Sequence, residues 1–480
     1  MTASTSAPSA RSGRREHLTL DPNHAIDRNT EPGDTGRSGA ALTIRHPPQD
    51  ASYLGWNWTK GCAMATKRAG KAKQRARKSS SRPSQGGSHL SAFDGQCREV
   101  LRTDGRDVLR GGDPLDAELW VSQLVGLFRG LPLVGEDDPV TAIGGRLVSV
   151  AKRSRTPEAQ MCLRALAATA DGPLGRRAEA AARELAATGA PAPGWIDAIG
   201  TAEPTAAWRA TDLCGDQDSI MIGFAFLDGD EHSVVVLIDH PLGGIAKDAA
   251  VLGPLAEVVR SWEDVADIEL VEEPIEVAAA RVIEAMEWTR CTLDAPVTED
   301  FVATEAWLRA RLGPLAGALP DIEPLGDAER EALVRAFLTD DAGSVYAHDP
   351  GAWFLIECLV DFRCDQHGRD PLRWNGAAAA QFLLDWVPRK VSAEEASLVR
   401  MPEVLRAWVG WASRQAALPV HLATETVETI SQFEAEFAEA ITDERHWGPA
   451  KRLMMSMLAS GIDPSDTAAA NAWLTAQVPA

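Results

Sequence analysis

Ser219-Ile-Met-Ile-Gly-Phe-Ala-Phe-Leu227 and Ser233-Val-Val-Val-Leu-Ile-Asp239 are two apolar runs held apart by Asp228-Gly229-Asp230-Glu231. β-Branched and aromatic residues suit a pleated surface, and Asp-Gly between two such runs supplies the turn of a hairpin. The pair predicts an antiparallel hairpin, at the point where a chain written mostly in helical periodicity changes its period. Trp208 to Asp212 reads as a preceding strand and Ile268-Glu-Leu-Val271 as a following one. Pro254 to Trp262 reads as a helix, and after Pro274 another presents Ile275, Ala279, Val282 and Met286 on one face. Residues 204–295 are thus expected to form an α+β module, an antiparallel sheet covered by helices on one face.

On both sides the pattern is helical. Asp113-Pro114 opens a segment whose Trp120, Leu124, Leu127 and Phe128 fall on one face. A second helix follows Thr156-Pro157 and buries Leu163 and Leu166, and an Ala-rich third, from about Arg176, stops at Gly189. Residues 97–203 form the expected N-terminal helical domain. From 296 to 480 the starts are Thr298, Asp327, Asp349-Pro350, Asn375, a capping box Ser392-x-x-Glu395, and Pro402; the stops are Gly313-Pro314, Pro388 and Pro419. Ile430, Phe433, Phe437 and Ile441 mark a long amphipathic helix, and Pro449 opens another with Leu453 and Met457. The fold class expected is mainly α with a small α+β module in the middle.

Charge is unevenly divided. The 480 residues carry a net charge of −21, and residues 1–90 hold 15 Lys/Arg against 6 Asp/Glu, or +9, which leaves −21 − 9 = −30 for the rest. A body so acidic repels nucleic acid and anionic membrane over most of its surface. The cations concentrate in an arm, residues 64–96, where Lys67, Arg68, Lys71, Lys73, Arg75, Arg77, Lys78 and Arg82 have no acid among them. Such an arm holds nucleic acid weakly and without sequence preference, through phosphates, or serves only as a solubilising tail. Residues 1–63 read as disorder, and the change of character at Met64 suggests a start codon there, with 1–63 as an upstream extension.

No apolar run approaches the roughly 20 residues a membrane helix needs, so no membrane partner is expected. Met1 to Ala10 lacks an apolar signal core. The cysteines, Cys62, Cys97, Cys162, Cys214, Cys291, Cys358 and Cys364, are odd in number and never in a C-x-x-C pair, which fits a reducing cytoplasm better than a disulfide framework. Phosphate-loop, dinucleotide, zinc-protease, nucleophile-elbow and kinase motifs are absent, so no cofactor is expected.

The most chemical-looking stretch is Asp239-His240-Pro-Leu-Gly-Gly244 followed by Lys247-Asp248, polar and flexible at the end of a buried strand. Asp239 would orient His240 as a general base, with Lys247 and Asp248 completing the set. The competing reading makes it a turn, with Asp239 capping amides and Gly243-Gly244 supplying positive φ, and it accounts for every residue without a substrate. Asp212, Asp216 and Asp218, with Asp228 and Asp230, offer oxygen ligands but no calcium-loop spacing, and solvated turns explain them. His348, Asp349, Asp365 and His367, with Cys358 and Cys364, show no zinc-type spacing, so no metal is expected.

Three segments, Leu237 to Asp248, Phe382-Leu-Leu-Asp-Trp-Val-Pro-Arg-Lys390, and His446-Trp-Gly-Pro-Ala-Lys-Arg452 with Gly461-Ile-Asp463, resemble a family of uncharacterised actinobacterial proteins. The likeness covers roughly Gly112 to Val478 and implies no activity. What the residues favour is a cytoplasmic, non-enzymatic protein that meets an unknown protein partner through its helical domains. A hydrolase or transferase centred on Asp239 to Asp248 is the first alternative, and a nucleic-acid-associated protein acting through Lys67 to Arg82 the second.

Overall fold

A computed structural model describes residues 89–129, 138–321, 323–367, 370–463 and 466–477. Residues 1–63 and the arm cations Lys67 to Arg82 lie outside the described residues. The chain is mainly helical with a central five-stranded antiparallel sheet. Among the described residues no helix is long and apolar enough to cross a membrane.

The N-terminal helices are α1 His89–Arg102, α2 Asp104–Gly111, α3 Pro114–Arg129, α4 Pro139–Ser154, α5 Pro157–Thr169 and α6 Gly172–Ala187. Helix α1 starts inside the stretch assigned to the arm, and its Cys97 and Leu101 are buried in this domain's core. Three of the later starts, those of α3, α4 and α5, are capped by a side chain. Asp113 accepts Leu115 N at 2.9 Å, Asp138 accepts Val140 N and Thr141 N at 3.0 and 2.9 Å, and Thr156 accepts Ala159 N at 3.3 Å. Leu163 and Leu166 are fully buried, and Gly189 ends the third predicted helix at φ +71°. Leu127 departs from expectation, being 60% exposed. Helix α3 is flanked by α5 and by α9 (Glu299–Leu312), so burial runs around its middle and fades at its last turn. At Gly126 a β-carbon would stand 2.4 Å from the Val302 carbonyl oxygen of α9, so this close approach requires glycine.

The sheet comprises β1 Glu203–Asp212, β2 Gln217–Ala225, β3 Glu231–Asp239, β4 Ile245–Leu252 and β5 Ile268–Glu273, in the order β4-β3-β2-β1-β5. The predicted hairpin is β2–β3, with Met221 opposite Val235. Helices cover both faces, not one. Ile220, Ile222, Phe224, Val234 and Val236 pack beneath α8 (Ile275–Cys291) and α9, while Met221, Val235 and Ala210 pack against α7 (Leu255–Glu263) through Leu255, Val258 and Val259. That is why β2 and β3 read as unbroken apolar runs without polar alternation.

The C-terminal helices are α10 Asp327–Thr339, α11 Pro350–His367, α12 Gly376–Gln381, α13 Val387–Lys390, α14 Glu395–Leu398, α15 Met401–Gln415, α16 Val420–Thr442, α17 Pro449–Ala459 and α18 Thr467–Gln477. Their core gathers Trp374, Phe382, Leu405, Trp408, Val409, Ala412, Ile430 and Phe437. Pro388 does not stop a helix. A π-helical turn, Phe382–Trp386, directs Val387 N to the Phe382 carbonyl and carries the helical path through the proline. The capping box at Ser392 does not form either: α14 begins at Glu395, past the reach of Ser392, whose Oγ is buried with no partner among the described residues.

Candidate functional site

Two turns at one end of the sheet carry the residues singled out above. The first joins β1 to β2. Asp212 accepts Cys214 N at 2.8 Å and also Gln217 N, an Asx-type closure with Gly215 at φ +70°. Burial, reinforced by the neighbouring charge of Asp216, pushes the Asp212 carboxyl up to about 6. Asp216 is buried and accepts Arg363 Nη1 at 2.9 Å. Arg363, from α11, is fully buried, donates from Nη2 to the Cys214 carbonyl at 3.1 Å, and lies 5.7 Å from the Trp374 ring centroid.

The second turn joins β3 to β4. Asp239 accepts Leu242 N at 3.1 Å, Gln217 Nε2 at 3.3 Å and Lys247 Nζ at 3.0 Å; Gly243 and Gly244 sit at φ +94° and +75°. His240 turns away from Asp239, and its Nε2 lies 2.8 Å from Asp218, which also accepts Thr211 Oγ1 at 2.6 Å. Successive strand residues face opposite sides, so the carboxylate beside His240 comes from the neighbouring strand and not from the adjacent residue. Asp218, not Asp239, is therefore the residue that orients the ring.

Lys247 owes its direction to a bulge. Leu237 pairs with Asp248 and Ile238 with Ala246, leaving Lys247 as the extra residue. Its side chain swings back to Asp239, and its carbonyl accepts Thr298 N at 3.0 Å from the cap of α9. Asp248 accepts Thr298 Oγ1 at 2.5 Å, and burial raises its carboxyl. The four candidates thus fall into three local couples, Asp239 with Lys247, His240 with Asp218, and Asp248 with Thr298.

Both turns are docked on the C-terminal helices. Besides Arg363, Arg373 donates to the Leu213 carbonyl, Gln381 Nε2 to the Pro241 carbonyl at 3.0 Å, and the Cys214 thiol lies 3.5 Å from the Trp374 carbonyl.

The aspartates weighed as cation ligands do not meet: Asp228 and Asp230 lie at the opposite end of the β2–β3 hairpin from Asp212, Asp216 and Asp218. Asp349 caps Gly351 N and Ala352 N and pairs with Arg400, and Asp365 pairs with Arg330. Cys358 and Cys364 are buried; burial pushes the Cys358 thiol up to about 12. Among the described residues no three His, Cys, Asp or Glu side chains come together as a metal ion would require.

A second polar cluster, on the face toward the N-terminal helices, was not anticipated from the sequence. Arg311 of α9 donates from Nη2 to both oxygens of buried Glu118, at 2.7 and 2.6 Å, and Glu118 also accepts Gly200 N at 2.7 Å and Trp307 Nε1 at 2.9 Å. Next to it His232 lies among Phe224, Phe226 and Trp307, with ring centroids at 5.6, 5.4 and 6.0 Å. Burial, with a smaller contribution from Arg311, lowers the histidine to about 4. The sequence signal for such groups is an ionisable residue on an apolar helix stripe: Arg363 completes the series Leu355, Leu359, Phe362, Arg363.

No family model, curated protein or solved structure matches this chain.

Proposed function

We propose that this is a cytoplasmic, non-enzymatic protein that binds a protein partner through its helical domains, with the Lys67 to Arg82 arm adding weak, sequence-independent affinity for anions. The supporting observation is how the catalytic candidates are spent. Asp239 holds the backbone of its own turn, Asp248 holds the cap of α9, and the turns themselves are clamped by Arg363, Arg373 and Gln381. A segment so engaged fixes the sheet to the C-terminal helices, and the helices' outer faces are left to meet a partner. The test is affinity capture of the tagged full-length chain from its native cytoplasm, beside a His240→Ala/Lys247→Ala variant. The same stoichiometric partner on both supports the reading; no partner on either counts against it.

One observation favours the alternative of a hydrolase or transferase. His240 is partly exposed and set 2.8 Å from a buried carboxylate, the arrangement a general base needs. Turnover of ester or phosphoester substrates by the native chain, lost in Asp218→Asn at unchanged stability, would carry that reading over the first.

A further inference from the structure

The sheet has two edges, and the described residues close only one of them. At β4 the outward backbone is spent: the Lys247 carbonyl accepts Thr298 N at 3.0 Å, the Ala246 carbonyl accepts Thr289 Oγ1 at 3.1 Å, and Ala249 N donates to Asp248 Oδ1 at 2.8 Å. The bulge at Lys247 also bends that edge. At the other side β5 runs beside β1 in an unbroken register, from Ala207 opposite Glu273 to Asp212 opposite Ile268. Leu213 N donates to the Asp267 carbonyl at 3.0 Å, and opposed antiparallel residues alternate between bonded and non-bonded pairs, so Glu269, Val271 and Glu273 turn their amides and carbonyls to β1. Ile268, Leu270 and Glu272 turn theirs outward, and among the described residues no hydrogen bond meets them.

The side chains of this edge decide which strand fits it. Glu269, Val271 and Glu272 are exposed, whereas Leu270 is half-buried against α7. Glu273 is held by Arg281 at 2.9 Å and Asp267 by His421 at 2.7 Å, but neither Glu269 nor Glu272 has an ion-pair partner among the described residues. Two further exposed acids, Glu263 and Asp264, precede the strand. An open edge is a template for another strand, and charge selects among the strands that could join it. A second copy would bring two such acidic edges together, which like-charge repulsion opposes. We propose that β5 is a docking edge for an extended segment of a protein partner, added antiparallel, with residues in the order basic, apolar, apolar, basic opposite Glu272, Val271, Leu270 and Glu269. The two cations complement the unpaired carboxylates, the apolar pair covers Val271 and Leu270, and the outward amides and carbonyls supply the main-chain bonds. This goes beyond the reading above, which gave the contact to the helical domains, and stands without it.

The experiment is fluorescence anisotropy on the full-length chain with the labelled peptide Thr-Lys-Val-Ile-Lys-Thr at about 0.15 M salt, where diffuse attraction is screened. Glu269→Gln/Glu272→Gln is expected to weaken binding about fivefold. Glu272→Pro removes an outward N–H that β1 does not use and is expected to weaken it about tenfold or more. In the peptide, N-methylation of the isoleucine, whose amide would face β5, is expected to abolish binding, and N-methylation of the valine, whose amide would face away, to leave it unchanged. These effects, with the urea midpoint of each variant unchanged, support the edge. Should Glu272→Pro fail to fold, the two methylated peptides on the wild-type chain decide alone. No binding by the wild-type chain, equal binding of Thr-Val-Lys-Lys-Ile-Thr, or the same response to both methylated peptides overturns the proposal. So does a wild-type dimer that Glu272→Pro dissociates, because the edge then belongs to a second copy.

Discussion

The central sheet is held on two sides by buried arginine–carboxylate pairs, and the two are built differently. Toward the N-terminal helices, Arg311 grips both oxygens of Glu118, and a backbone amide and an indole N–H fill the carboxylate's remaining sites. Toward the C-terminal helices, Arg363 reaches Asp216 through one contact, and Asp216 Oδ2 and Arg363 Nε find no hydrogen-bond partner among the described residues. A buried ionic group offsets its desolvation only when its donors and acceptors are filled. The first joint is a completed network, and the second is incomplete, with a second, partly buried carboxyl, Asp212, raised beside it. The incomplete joint is therefore the one expected to give way first as the protein is stressed.

The largest effect belongs to the completed network. Glu118→Ala takes the carboxylate from a largely buried guanidinium, an amide and an indole N–H at once, so a loss of about 3–5 kcal/mol is expected. Urea denaturation reads it as a lower midpoint at unchanged slope. Asp216→Ala strands Arg363 but breaks a single contact and relieves Asp212 of a like charge; about 2–3 kcal/mol is expected. Asp216→Leu combined with Arg363→Met should recover most of that, since an apolar pair leaves no buried charge behind. If Asp216→Ala costs as much as Glu118→Ala, the two joints are equivalent and the comparison fails.

Acid should act on the two sides with opposite sign. His232 titrates near 4 when folded and near 6.5 in an unfolded chain, so stability is full above 6.5 and is lost as pH falls from 6.5 toward 4, by about 3 kcal/mol in all. Asp212 titrates near 6 when folded and 3.8 in its ordinary state, so the folded form holds the proton in between and stability is gained as pH falls from 6 toward 3.8. His232→Phe, which keeps a ring among Phe224, Phe226 and Trp307, should flatten the acid limb of a stability-versus-pH curve. Asp212→Asn should steepen it. An Asp212→Asn curve parallel to the wild type would remove Asp212 from the account.

These joints mark where sequence reading succeeds and where it stops. The β2–β3 hairpin was legible because its apolar runs and Asp-Gly turn are local, and the caps at Asp113, Thr156, Thr298 and Asn375 because a side chain bonds an amide two or three residues on. Strand β4 was not, since Ile245 to Leu252 carries Lys247 and Asp248 at a bulge that breaks the alternation, so its polar residues looked like a loop. Helix α4 opens on Asp138-Pro139, a local start absent from the expected set of helices. Within the candidate site, the turn chemistry of Asp239 and Gly243-Gly244 could be read locally. The partners Asp218, Arg363 and Thr298 are 22 to 147 residues away in sequence from the groups they hold, and only the fold brings them in.

The smallest side-chain effect is expected where the sequence looks most chemical. Lys247→Met removes one 3.0 Å contact from Asp239, which keeps Leu242 N and Gln217 Nε2, and the lysine is partly exposed; the expected cost is at most about 1 kcal/mol. Gly243→Ala leaves every side chain in place but forces a β-carbon onto φ +94°, at about 1–2 kcal/mol. If the segment serves to bend the backbone and seat the sheet on the C-terminal helices, thermal unfolding must rank Gly243→Ala as the more damaging of the two. The reverse order would mean that the charges, and not the bend, are what this segment is for, and would move the weight of argument to the alternative centred on His240 and Asp218.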